Sequence, residues 1–140
     1  MKMKMLAACF ATIFSSVCMA ASVDIDSQRS EEITDRWDEM NKCFANAGKI
    51  LDDQISTASD IAKVALSDCK IDVLMYRKYE TLPKECFGMT LKERYKVDKC
   101  DVDITADYKP DERDMTQAIK VILRYRVMKR QHQLRQNRSN

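Results

Sequence analysis

Ile33, Trp37, Met40, Phe44, Ala47 and Leu51 recur at spacings of four, three, four, three and four. That is the period of a helix with one buried face. Ser30 can cap the run, and Glu31, Glu32 and Asp35 stand near the positive end of the helix dipole. The pattern therefore predicts a first helix from Ser30, preceded by a flexible lead at 21–29, and ending at Asp52-Asp53 and the Ser56-Thr57-Ala58-Ser59 cluster. Trp37, inside the stripe, is expected in the core or the hairpin interface.

A second stripe of Ile61, Ala65, Cys69, Val73 and Tyr76 predicts a helix starting near Ser59-Asp60 and running no further than Pro83. Helices joined by a short connection fold back on each other. Beyond Pro83 the pattern is less regular. Thr90 and Glu93 have capping-box spacing and predict a short helix from Leu91 to about Asp98. Val102, Ile104, Ala106 and Tyr108 alternate with polar residues, as in an extended segment. Pro110-Asp111-Glu112 opens a last helix with the residues a first turn prefers. Its apolar face is Met115, Ala118, Val121, Ile122, Tyr125 and Met128, and its order is expected to fade after Leu134 into a frayed tail at 136–140.

The scarcity of turn residues agrees with this reading, because the chain has two glycines and two prolines and an all-β fold needs many more. The expected class is all-α: a small helical bundle built on a disulfide-linked helical hairpin, with an irregular or short extended segment before a basic C-terminal helix. A single domain is expected over 30–135.

The N-terminus changes the picture of where this domain works. Lys2 and Lys4 precede an uncharged run from Met5 to Val17, and Cys18-Met19-Ala20 puts small residues where signal peptidase reads. Residues 1–20 therefore read as a cleavable signal peptide, with an uncleaved anchor and a lipidation box at Leu6-Ala7-Ala8-Cys9 as weaker alternatives. The expected location is periplasmic or extracellular. Cys43, Cys69, Cys86 and Cys100 would remain after cleavage, and an even number in a small exported chain reads as two disulfides. Four cysteines permit three pairings. Cys43 and Cys69 are equidistant from residue 56 in the turn between the two helices, so an antiparallel hairpin favours their pairing and leaves Cys86 with Cys100. No Cys-x-x-Cys pair supports zinc or redox chemistry.

Charge is polarised along the chain. From Ala21 to Asp114, 15 Lys and Arg face 22 Asp and Glu; from Met115 onward there are seven cations and no acid. Lys120, Arg124, Arg126, Lys129, Arg130 and Arg135 make the last helix a candidate surface for an anionic partner. A self-docked tail, held by the acidic body, is the competing expectation.

Catalytic signals are thin. The one histidine, His132, lies in the basic tail, and no glycine-rich phosphate loop is present. Asp101, Asp103, Thr105, Asp107 and Glu112 fit a calcium-loop register, but Ala106 takes the position where the turn needs glycine. No enzyme, cofactor, metal or nucleic-acid partner is expected. The leading functional expectation is an exported protein-interaction module, such as an inhibitor, immunity factor, adaptor or chaperone. The alternative is a binder of anionic membrane surface or lipopolysaccharide through the basic helix.

Overall fold

The structure, a computed structural model, describes residues 24–102 and 108–139. The expected signal peptide, residues 21–23 of the lead, the centre of the alternating segment, three of the five calcium-register positions and Asn140 lie outside the described residues. The described chain forms five α-helices and no strand: α1 Ile25–Leu51, α2 Ala58–Asp68, α3 Lys70–Thr81, α4 Leu91–Arg94 and α5 Glu112–Ser139. The all-α bundle read from periodicity is the fold observed.

The α1 stripe buries Met40, Phe44 and Ala47 against Ile61, Ala65 and Leu66 of α2 and Ala118 and Ile122 of α5. Phe44, Leu66 and Ile122 are fully enclosed. Each such side chain contributes roughly 1.5 to 3 kcal/mol by leaving water. Gly48 lets α1 and α5 approach closely, since a Cβ there would lie 3.2 Å from Ile122 Cγ1. The pairs Asn41–Gln117, Gly48–Ile122 and Asp52–Arg126 rise together along both helices, so α1 and α5 run parallel. α2 is antiparallel to α1, and the hairpin is bridged by Cys43–Cys69 with Cα atoms 5.8 Å apart.

The stripe expected to form one helix from Ser59 to Pro83 is divided at Cys69, which ends α2 and begins α3. The Cys69 N–H still bonds to Ala65 O, and Cys69 O accepts from Val73 N, so Cys69 itself is bonded to the helix on either side of the break. α2 then packs on α1 and α5, while α3 packs along α1.

A second, smaller core of Tyr79, Leu82, Cys86, Phe87 and Cys100 sits at the C-terminal end of α3, closed by the Cys86–Cys100 disulfide. Gly88 turns the chain here at φ +76°, a conformation that favours glycine. The Thr90–Glu93 capping box forms as expected, but α4 is one turn long, not continued to Asp98.

Two helix ends correct the sequence expectation. α1 begins at Ile25, capped by Asp24 and not by Ser30, so the described part of the lead is helical. The extra turns touch the segment after α3: Asp26 pairs with Lys84 at 2.6 Å, and the Arg29 guanidinium lies over the Phe87 ring at 5.8 Å; just beyond them Glu32 accepts from Gly88 N and Arg94. At the other end α5 continues to Ser139 through the expected frayed tail, and every residue of 131–139 is exposed.

A basic helix divided between fold and groove

The six cations expected to form one surface fall into three groups. Arg126 and Lys129 face inward. Arg126 Nε lies 3.1 Å from Asp52 Oδ1 and its Nη2 donates to Ser56 O at 2.8 Å, while Lys129 Nζ lies 3.0 Å from Asp52 Oδ2. The Asp52 side chain is 2% exposed, so these bonds form largely out of water, where charge-assisted hydrogen bonds are strongest. The Lys129 hydrogen bond, with that of Arg126, holds the Asp52 carboxyl below its usual range. For these two residues the self-docked reading is the observed one.

Lys120 and Arg124 face outward, onto a cleft between α1 and α5 of about 520 Å³. Its floor is Trp37, Ala45, Val121 and Tyr125, all half-buried, crossed by the equally half-buried pair Asn41 and Gln117, whose side chains are hydrogen-bonded at 2.7 Å, with Met128 55% exposed at the far end. Lys42 and Asp38 of α1 complete the rim. Among the described residues Lys42, Lys120 and Arg124 form no ion pair, whereas Arg77, Arg94, Arg113, Arg126 and Lys129 do. Trp37 and Gln117 also line an adjoining cleft with Tyr76, Asp111 and Glu112, so basic and acidic depressions follow one another along α1 and α5. Trp37 packs on the core and on Tyr76, 5.0 Å between ring centroids, while its remaining face is available in the cleft.

Arg130 and Arg135 belong to neither group. Arg130 borders a shallow depression with Asp52 and Gln54, and Arg135, like His132, is on the exposed final turns of α5.

Two further buried polar side chains were not singled out by their sequence context. Arg94 is 4% exposed; it pairs with Glu32, donates to Tyr79 Oη at 2.8 Å, and lies over the Tyr79 and Phe87 rings. Its Nε and that of Arg29 lack hydrogen-bond partners among the described residues, but both guanidinium groups lie within 6 Å of the Phe87 ring centroid, where the ring quadrupole offsets part of the loss. Asp114, 5% exposed, accepts from Arg77, Tyr108 and the Asp111 N–H. The Asp111 side chain in turn accepts from Asp114 N at 2.9 Å, a reciprocal cap at the start of α5. Burial and the Asp114 charge push the Tyr108 hydroxyl well above its usual range. Each group in these networks is committed to joining one element to another.

Among the described residues one cluster has the composition of a metal site: Cys43, Cys69 and Asp72 place their donor atoms within 4.8 Å of one another. The two sulfurs are bonded to each other and offer no thiolate, and ligation needs the thiolate. Burial, with the nearby Glu39 charge, raises the Asp72 carboxyl.

In comparisons with known proteins, no family model, curated protein or solved structure matches the chain.

Proposed function

We propose that the chain is a non-enzymatic, exported protein-interaction module that presents the α1–α5 cleft to another protein in a periplasmic or extracellular compartment. The observation carrying this reading is the cleft itself: a floor with two aromatic residues, Trp37 and Tyr125, on either side of the Asn41–Gln117 hydrogen bond, rimmed by Lys42, Lys120 and Arg124, on a scaffold held by two disulfides. Buried aromatic anchors with a polar rim are the usual make-up of a protein-binding surface. Two disulfides suit a chain that matures in an oxidising environment.

The test is a photo-reactive residue in place of Met128, with the same residue in place of Val64 on the outer face of α2 as control. Cross-linking in the exported compartment is expected to trap a discrete protein from position 128 and none from position 64. Equal yields from both positions, or lipid adducts alone, contradict the reading.

A second reading has one observation in its favour. Leu123, Val127 and Leu134 are 48%, 54% and 60% exposed on α5, and they share its outer side with Lys120, Arg124 and Arg135. An anionic membrane or lipopolysaccharide would suit that combination. Co-sedimentation with anionic vesicles that falls with salt and weakens on truncation after Arg130 supports it; such a truncation removes Leu134 and Arg135 and leaves the Arg126 and Lys129 bonds in place. Vesicle binding unchanged by salt or by truncation counts against it.

A further inference from the structure

We infer that the occupant of the α1–α5 cleft is an acidic amphipathic α-helix of the partner protein, an inference that rests on the protein-binding reading and names the chemistry of its ligand. Three observations lead there. The first is the backbone. The cleft walls are helices whose N–H and C=O groups are already bonded within α1 and α5. An extended segment lying between them would find no partners for its own backbone, whereas a helix brings its hydrogen bonds with it. The second is shape. Two parallel helices leave a trough into which a third packs side chains, and the half-buried rings of Trp37 and Tyr125 lie on its floor. A planar bilayer would meet the rim and leave these rings uncovered.

The third is charge. Lys120 and Arg124 are four apart on α5 and therefore about 6 Å from one another along the rim, and Lys42 rises on the α1 side. Three cations without ion pairs among the described residues face one acid, Asp38. Carboxylates on both flanks of an apolar stripe, one per turn, would meet them. Asp38 is the acid within this cleft opposed to such a ligand, and it supplies a test in the opposite direction; Asp111 and Glu112 in the adjoining depression set the limit toward Tyr76 beyond which the ligand's carboxylates would be repelled.

Trp37 is the sole tryptophan, so its emission reports on the cleft. The probe is a synthetic 18-residue peptide with a leucine stripe flanked by glutamates and no aromatic residue. A saturable shift of Trp37 emission is expected. Affinity should fall at least tenfold in Lys120→Glu/Arg124→Glu and rise in Asp38→Lys, with far-UV circular dichroism unchanged in each. Controls are the same peptide with lysine for glutamate and with a central proline that breaks the helix. No saturable response, equal binding of either control, or a stronger response to phosphatidylglycerol vesicles overturns the inference. Mapping the cross-link from position 128 separates the two levels. A trapped acidic helix supports both; a trapped segment of other character overturns this inference and leaves the protein-binding reading standing; no trapped protein overturns the reading itself.

Discussion

Arg126 places its Nε 3.1 Å from Oδ1 of Asp52, joining the basic last helix to the residue that ends the first. Lys129 bonds to the other carboxylate oxygen, so one acid holds two of the seven cations in the C-terminal segment. Asp52→Asn should remove both ion pairs and leave the cations short of acceptors. The expected cost is about 2 kcal/mol, lower than for a fully buried triad because Arg126 and Lys129 keep side-chain exposures of 24% and 31%. Denaturant unfolding with the disulfides intact measures it, and an unchanged midpoint would contradict the assignment.

The neighbouring Asp53 predicts how stability responds to acid. Its carboxylate accepts from Ser56 Oγ, Ser56 N and Ile55 N, and these bonds, that of the Ser56 hydroxyl first, take its pKa from 3.8 to about 2. A depressed folded-state pKa means that the unfolded chain binds the proton first. The contribution is therefore whole above about 4 and is lost as pH falls to about 2. Asp53→Asn should lower stability at pH 7 and flatten the acid limb, its curve converging with that of the native protein near pH 2. Parallel curves at all pH values would contradict this.

The two disulfides should contribute separately. Cys43–Cys69 spans 26 residues and Cys86–Cys100 spans 14, so chain entropy assigns them about 3.5 and about 3 kcal/mol. Cys43→Ala/Cys69→Ala should lower the stability of the hairpin core. Cys86→Ala/Cys100→Ala should expose chiefly the amides of 84–100 to hydrogen exchange. Equal loss of protection throughout the chain in both variants would deny that there are two cores.

Arg94 links the smaller core to the start of α1. Arg94→Met keeps much of the packing but removes the bonds to Glu32 and Tyr79; because Glu32 is 30% exposed the expected cost is about 2 kcal/mol. Hydrogen exchange should quicken first at 25–32, because Glu32 also accepts from Gly88 N. Protection of Phe44 and Ile122, in the main core, should change little.

These residues also show what could be read from the chain unaided. The hairpin and its Cys43–Cys69 bridge were legible because apolar period and the symmetric placement of two cysteines about a turn are local properties. Thr90 and Glu93 announced their capping box for the same reason. The bend at Cys69 was not legible, since the stripe continues unbroken from Ile61 to Tyr76 and only packing against α1 and α5 separates its halves. α1 starts at Ile25, capped by Asp24 and with Asp26 and Arg29 touching Lys84 and Phe87, contacts with a distant stretch that no apolar pattern records. Arg94 resembles any surface arginine until Tyr79 and Phe87 are brought around it. In α5 the division of cations depends on where Asp52 lies: a charge count sees seven equivalents, whereas the fold turns Arg126 inward and leaves Arg124, two residues earlier, on the cleft.

That difference supplies the most direct measurement. Arg124→Glu and Arg126→Glu make the same change of charge two positions apart, and each variant can be assayed both for its denaturation midpoint and for binding the glutamate-flanked peptide. Arg124→Glu is expected to keep the native midpoint and lose binding at least tenfold, and Arg126→Glu to unfold at clearly lower denaturant through repulsion from Asp52. Equal midpoints in the two variants, or undiminished peptide binding by Arg124→Glu, would contradict a helix whose inner cations fold the protein and whose outer cations bind its partner.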